Sequence, residues 1–141
     1  MGYDLKPIRP KKKDLEWFHF NCWSWLILME YCGTYWPSYH GNGGYYMPHN
    51  NTNDKRYEGH SYPPITTNDG FKVTAIESRV MARIASNLAR IQRCLPDTLE
   101  EYEMQGLKGR PGMPIWMHRG YVERFEEFSE WVQKCQGFRI F

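Results

Sequence analysis

No stretch of this sequence is apolar for long enough to cross a bilayer. The greasiest segment, Trp17 to Cys32, is broken by His19, Asn21, Ser24 and Glu30. It is also shorter than the ~20 residues that a spanning helix needs. The polar, basic start of the chain lacks the apolar run and small residues of a secretory signal. These absences lead to the expectation of a cytoplasmic protein with no membrane contact. An excess of one charge is missing as well. Eighteen Lys and Arg stand against 16 Asp and Glu, for a net charge of +2. A nucleic-acid polymer is therefore not an expected partner. The four cysteines, Cys22, Cys32, Cys94 and Cys135, show no CxxC spacing. Free buried thiols are expected rather than a disulfide framework. HExxH, HxH and GxSxG are absent, and Gly41-Asn42-Gly43-Gly44 lacks the lysine and helix of a phosphate loop. No catalytic class is signalled, no cofactor is expected, and there are no internal repeats.

What is abundant is aromatic side chain. Aromatics make up 16% of the residues, with 6 Trp and 10 Tyr. Such rings serve cores, interfaces and stacking surfaces alike. The length of 141 residues suits a single domain with a real core, spanning 1–141.

The chain is organised around the segment from Thr74 to Leu95. Thr74 and Glu77 have capping-box spacing at its start, and Pro96 stops it. At about 100° per residue it separates into three faces. Ile76, Val80, Ile84, Leu88, Ile91 and Leu95 form a broad apolar face, expected in the core. Ser78, Ala82, Ala85, Ser86 and Ala89 form a small-residue face. That face is expected to meet another backbone closely, either within the chain or in a second copy, so a homo-oligomer through Ser78, Ala82, Ala85 and Ala89 is one expectation. Arg79, Arg83, Arg90 and Arg93 form a narrow stripe between the two.

Around this helix, residues 3–8 are expected to form a strand, followed by the basic connector Arg9-Pro10-Lys11-Lys12-Lys13, taken as a solvated linker. Residues 14–20 lead into a helix with Asn21 as N-cap and Gly33 as stop. Its residues are apolar on nearly every side, so it is expected to be buried as the core partner of the Thr74 helix. Residues 34–70 form a long loop rich in aromatics, Gly, Asn and Pro, too aromatic for a disordered linker. Within it, Tyr62-Pro63-Pro64-Ile65 favours extension and Thr67-Asn68-Asp69-Gly70 a turn. Thr98 and Glu101 suggest a second capping box and a short acidic helix. Residues 106–114 form a loop. The last helix is expected from Tyr121 to Cys135, with Gly137 as its stop. Phe138 to Phe141 read as a strand able to pair with the one near Tyr3. The fold class is thus α+β, a small single domain with about three main helices around the central one and short terminal strands.

MGYDL at the start, the aromatic Asn21-x-Trp23-x-Trp25 segment, the Asn68-Asp69-Gly70 turn before a long helix, and GFRIF at the end resemble a group of small uncharacterised bacterial and phage proteins. The resemblance covers the two ends and the central helix, and implies no activity.

Two constellations carry chemistry. Arg79, Arg83, Arg90 and Arg93 have no acid one turn away on their own edge, and arginine holds carboxylate or phosphate as a planar fork. Trp36, Tyr39, Tyr45 and Tyr46 in the loop supply rings that stack on a base-like ligand. Together they point to non-enzymatic binding, or sequestration, of a small anionic, nucleotide-like ligand. The competing account pairs the stripe with Glu123, Glu126 and Glu130 on the last helix. One alternative function is a protein–protein interaction or assembly domain using the aromatic loop. Another is a metal-dependent hydrolase using His40, His49 and His60, whose spacings of nine and eleven residues match no recognised motif.

Overall fold

The computed structural model describes residues 2–32, 55–60 and 63–141. In chain order the elements are strands β1 (Gly2–Pro7) and β2 (Phe18–Asn21), helix α1 (Cys22–Cys32), strand β3 (Phe71–Val73), helices α2 (Ala75–Arg93), α3 (Leu99–Met104) and α4 (Arg119–Val132), and strand β4 (Phe138–Ile140). Lys55–Tyr57 and Pro64–Thr66 are single 3-10 turns. Extension is therefore not the outcome at Pro64, where a proline sits comfortably in a first helical turn.

The four strands form one antiparallel sheet in the order β2-β1-β4-β3. The termini do meet: Leu5 pairs with Ile140, Lys6 with Arg139 and Pro7 with Phe138. β2 is the element that the sequence concealed. Phe18 and Phe20 point into the core while His19 and Asn21 point out, a two-residue period too short to stand out before a helix. Asn21 then caps α1, its side-chain oxygen accepting from the Ser24 amide at 2.8 Å.

One face of the sheet is buried, and its partners are rings. Phe18 packs edge-on to Phe20 and Phe128, and Phe138 lies against Trp25, Phe128 and Trp131. Such tilted and edge-to-face pairs suit the aromatic quadrupole. The buried indoles also satisfy their polar edges. Trp25 Nε1 donates to Ile65 O at 3.1 Å and Trp131 Nε1 to Glu16 O at 2.8 Å, tying two connecting segments to the core.

α2 differs from expectation in phase only in part: Leu88 is buried and Val80 and Ile84 pack against the core as expected. Its capping box is present, with the Thr74 hydroxyl accepting from the Glu77 amide and the Glu77 carboxylate from the Thr74 amide. But its buried residues are Glu77, Ser78, Met81, Ala82, Ala85, Leu88, Ala89 and Gln92. Of the expected apolar face, Ile76 is 60% exposed and Ile91 45%. α2 packs along α4, and small side chains let the two backbones approach. The close contact lies within the chain. Ser78, Ala82, Ala85 and Ala89 are thereby buried within the chain. The principal partner of α2 is α4 rather than α1. α1 is also one-sided: Ser24, Trp25, Leu28, Met29 and Cys32 are buried, but Trp23 is 68% exposed.

α3 begins at Thr98, whose hydroxyl accepts from the Glu101 amide. α4 ends at Val132, earlier than expected. Gly137 is not its stop but the entry to β4. Its φ is +85°, and a Cβ there would lie 2.5 Å from Val73 O, so only glycine lets β4 close against β3.

The phase of α2 is directly testable by urea unfolding. Ala85→Leu should destabilise by about 1–3 kcal/mol, the cost of overpacking a filled contact. Ile91→Ala should stay within about 0.5 kcal/mol, as for an exposed side chain. The opposite ranking would contradict the helix orientation.

Candidate anion-binding groove

The packing of α2 on α4 leaves a groove along one edge of the helix pair. Its volume is about 770 Å³, and it is lined by Lys11, Ala75, Arg79, Ala82, Arg83, Ser86, Asn87, Ser129, Val132, Gln133, Cys135 and Gln136. α2 brings Arg79 and Arg83 one turn apart. Lys11 reaches the same groove because its amide donates to Lys134 O at 2.9 Å, which pins the basic connector beside the end of α4. Among the described residues that line it there is no carboxylate and no aromatic ring. The cations face neutral hydroxyls and amides. Arg79 and Arg83 make no ion pair among the described residues.

The stripe is thus divided. Arg93 donates from Nη2 to Glu126 Oε1 at 2.6 Å and from Nε to Oε2 at 3.3 Å. This bond holds the Glu126 carboxyl below its ordinary pKa and Arg93 above its own. Both side chains are well exposed, so water screens the pair heavily. Arg90 donates to Asn87 Oδ1 at 2.9 Å. The competing account of the stripe therefore holds for Arg93 and fails for Arg79 and Arg83.

The groove has a polar asymmetry. Beyond Ser86 and Ser129 it continues into a second depression lined by Glu123, Glu126, Glu127 and Glu130. An anion seated on Arg79 and Arg83 is repelled in that direction. Cys135 brings a thiol to the lining of the basic half. Burial pushes its thiol up to about 11, and its sulfur donates to Val132 O. It stays protonated near neutrality and is a poor nucleophile. Cys32 is raised further by complete burial. All four cysteines are free thiols.

Trp36, Tyr39, Tyr45 and Tyr46, expected to stack on the ligand, lie outside the described residues, as do His40 and His49 and the Gly33 stop. His60 is exposed, and no cluster of metal-ligating side chains occurs among the described residues. Lys11, Gln133 and Gln136 are members of the groove that sequence reasoning missed. The only signal for Lys11 was the basic run itself, because nothing in the order of residues tells that residue 11 returns to residue 134. No helix among the described residues is long and apolar enough to cross a membrane.

The other end of α2 is closed rather than open. Gln92 is 1% exposed. Its Nε2 donates to Ile115 O at 2.8 Å, and its Oε1 accepts from the Met117 amide at 2.9 Å. Arg119 donates to the carbonyls of Gln92, Leu95 and Pro96 at 2.7, 2.8 and 3.0 Å. Gln92 O belongs to the last turn of α2 and the other two follow its end, a place where a cation is favourable. The arginine-rich groove and this capped end are therefore different chemistries on one helix.

No family model, curated protein or solved structure matches this chain.

The division of the stripe predicts unequal effects on stability. Arg93→Gln and Glu126→Gln should each lower the melting temperature slightly, with a less than additive loss in the double variant. Arg83→Gln should leave it unchanged or raise it. Coupling between Arg83 and any α4 glutamate would contradict the assignment. Low pH should remove the Arg93–Glu126 contribution. The folded carboxyl has the lower pKa, so the contribution is complete above the unfolded value and fades as pH falls through the folded one.

Proposed function

We propose that the groove between α2 and α4 binds a small phosphate-bearing anion without transforming it. One observation carries this reading. Lys11, Arg79 and Arg83 line a groove that, among the described residues, contains no carboxylate. Three unneutralised cations at close quarters repel one another, and a bound oxyanion relieves that repulsion. Arginine forks suit the tetrahedral oxygens of phosphate, and the surrounding Ser86, Asn87, Ser129, Gln133 and Gln136 offer neutral hydrogen-bonding groups. Binding fits this lining better than catalysis does. Among the described residues it holds no acid–base pair, and its thiol is kept protonated by burial. The support extends to the anionic part of a nucleotide-like ligand, since the described lining carries no ring to stack on a base. The setting proposed is the cytoplasm, where free thiols persist.

The test is thermal stability in the presence of inorganic pyrophosphate and a panel of nucleotides. A ligand at a hundred times its dissociation constant should add about 2.7 kcal/mol. Arg79→Gln and Arg83→Gln should each weaken that ligand by roughly ten- to a hundredfold. The unliganded melting temperature should not fall. A parent protein that responds to none of these anions would overturn the proposal. So would a response that Arg83→Gln leaves intact.

A further inference from the structure

The sheet turns one face to the core and the other to solvent, and the open face has a peculiar composition. Lys6 on β1 pairs with Arg139 on β4, which pairs in turn with Lys72 on β3. All three side chains are exposed. Three cations therefore stand directly opposite one another across three neighbouring strands. Like charges in that position destabilise a sheet. None of the three makes an ion pair with a carboxylate among the described residues. Arg139 donates only to Gly70 O, at 3.1 Å. The acid on this face, Asp4, is engaged by His19 Nδ1 at 2.7 Å.

Beside the cations lie two exposed rings. Trp17 is 53% exposed and Phe141 41%. They stack with centroids 5.9 Å apart, and Lys6 Nζ lies 5.7 Å from the Trp17 ring centre. The cationic surface does not end at the sheet edge. Lys72 shares a small depression with Arg9, Ala75 and Gln136. Ala75 and Gln136 also line the groove that holds Lys11, Arg79 and Arg83. A basic track thus runs from the sheet face, around the start of α2, and into the groove. Its acidic end, beyond Ser86 and Ser129, leaves the sheet as the favourable direction for an extended anion.

We infer that this sheet face binds single-stranded nucleic acid. A row of unneutralised cations fits a phosphate backbone, and an exposed ring pair beside it fits the face of an unpaired base. The net charge of +2 conceals this surface, because Lys6, Arg139 and Lys72 stand in register across three strands with no acid between them. Distribution rather than sum is the relevant quantity. The inference goes beyond the groove reading and does not require it.

The experiment is fluorescence anisotropy with a labelled fifteen-nucleotide oligo-thymidylate, titrated between about 50 and 200 mM salt. The parent protein should bind it with a negative salt slope. The double variant Lys6→Gln/Lys72→Gln should bind more weakly, with a slope smaller by about 1.4, for two lost single-strand phosphate contacts. Its melting temperature should be unchanged or higher. Trp17→Ala should weaken the oligonucleotide by roughly five- to a hundredfold and leave inorganic polyphosphate binding as it was. A duplex should bind less well than the single strand. Absence of oligonucleotide binding would overturn the inference. So would a salt slope unmoved by the lysine changes, or equal loss of polyphosphate and oligonucleotide in Trp17→Ala. Pyrophosphate binding to the lysine variant separates the two readings, because the groove does not use Lys6 or Lys72.

Discussion

The close approach of α2 and α4 is the constraint on which the rest of the molecule depends. Large side chains at positions 78, 82, 85 and 89 would hold the helices apart. Ser and Ala there allow contact near the backbone, and every exposed surface of α2 follows from it. The isoleucines at 76 and 91 are turned toward solvent. Arg79 and Arg83 come to rest at the mouth of a groove. The same approach places Gln92 where it can bond the chain on both sides of Trp116, and Arg119 where it caps the helix. Burying that glutamine amide is tolerable because its oxygen and nitrogen are both paired.

Local signals in the sequence survived into the structure, and long-range ones did not. Thr74 and Thr98 cap helices as their spacing implied, since a cap depends on residues three apart. The pairing of the termini was legible because both ends read as short strands, the last alternating only weakly. The phase of α2 was legible only in part. Hydrophobicity ranks isoleucine above alanine, so the isoleucine edge looked like the core face. Helix packing instead rewarded small volume at the contact, and let Met81, Glu77 and Gln92 fill the remainder. Glu77 was further obscured by its double role. Its carboxylate completes the cap and also takes both Nη atoms of Arg56, at 2.8 and 2.6 Å, a partner 21 residues earlier.

The candidate site was half legible for the same reason. A stripe of arginines is a property of one helix and can be read from it. Which members are neutralised depends on the neighbouring helix. Arg93 meets Glu126, whereas Arg79 and Arg83 share a groove with Ser129 on α4 and with Gln133 and Gln136 beyond its end. Lys11 joins them from the far end of the chain through a single backbone bond. A nearly balanced charge total therefore says little here. Among the described residues, acids and bases are sorted along the α2–α4 groove.

The most direct measurement is a two-dimensional amide NMR titration of the protein with inorganic pyrophosphate. The account predicts saturable shifts concentrated at Lys11, at Arg79 to Asn87 and at Ser129 to Gln136, with the α3 amides unmoved. Shifts absent at saturating pyrophosphate, or centred on the capped end of α2 around Gln92 and Arg119, would contradict it.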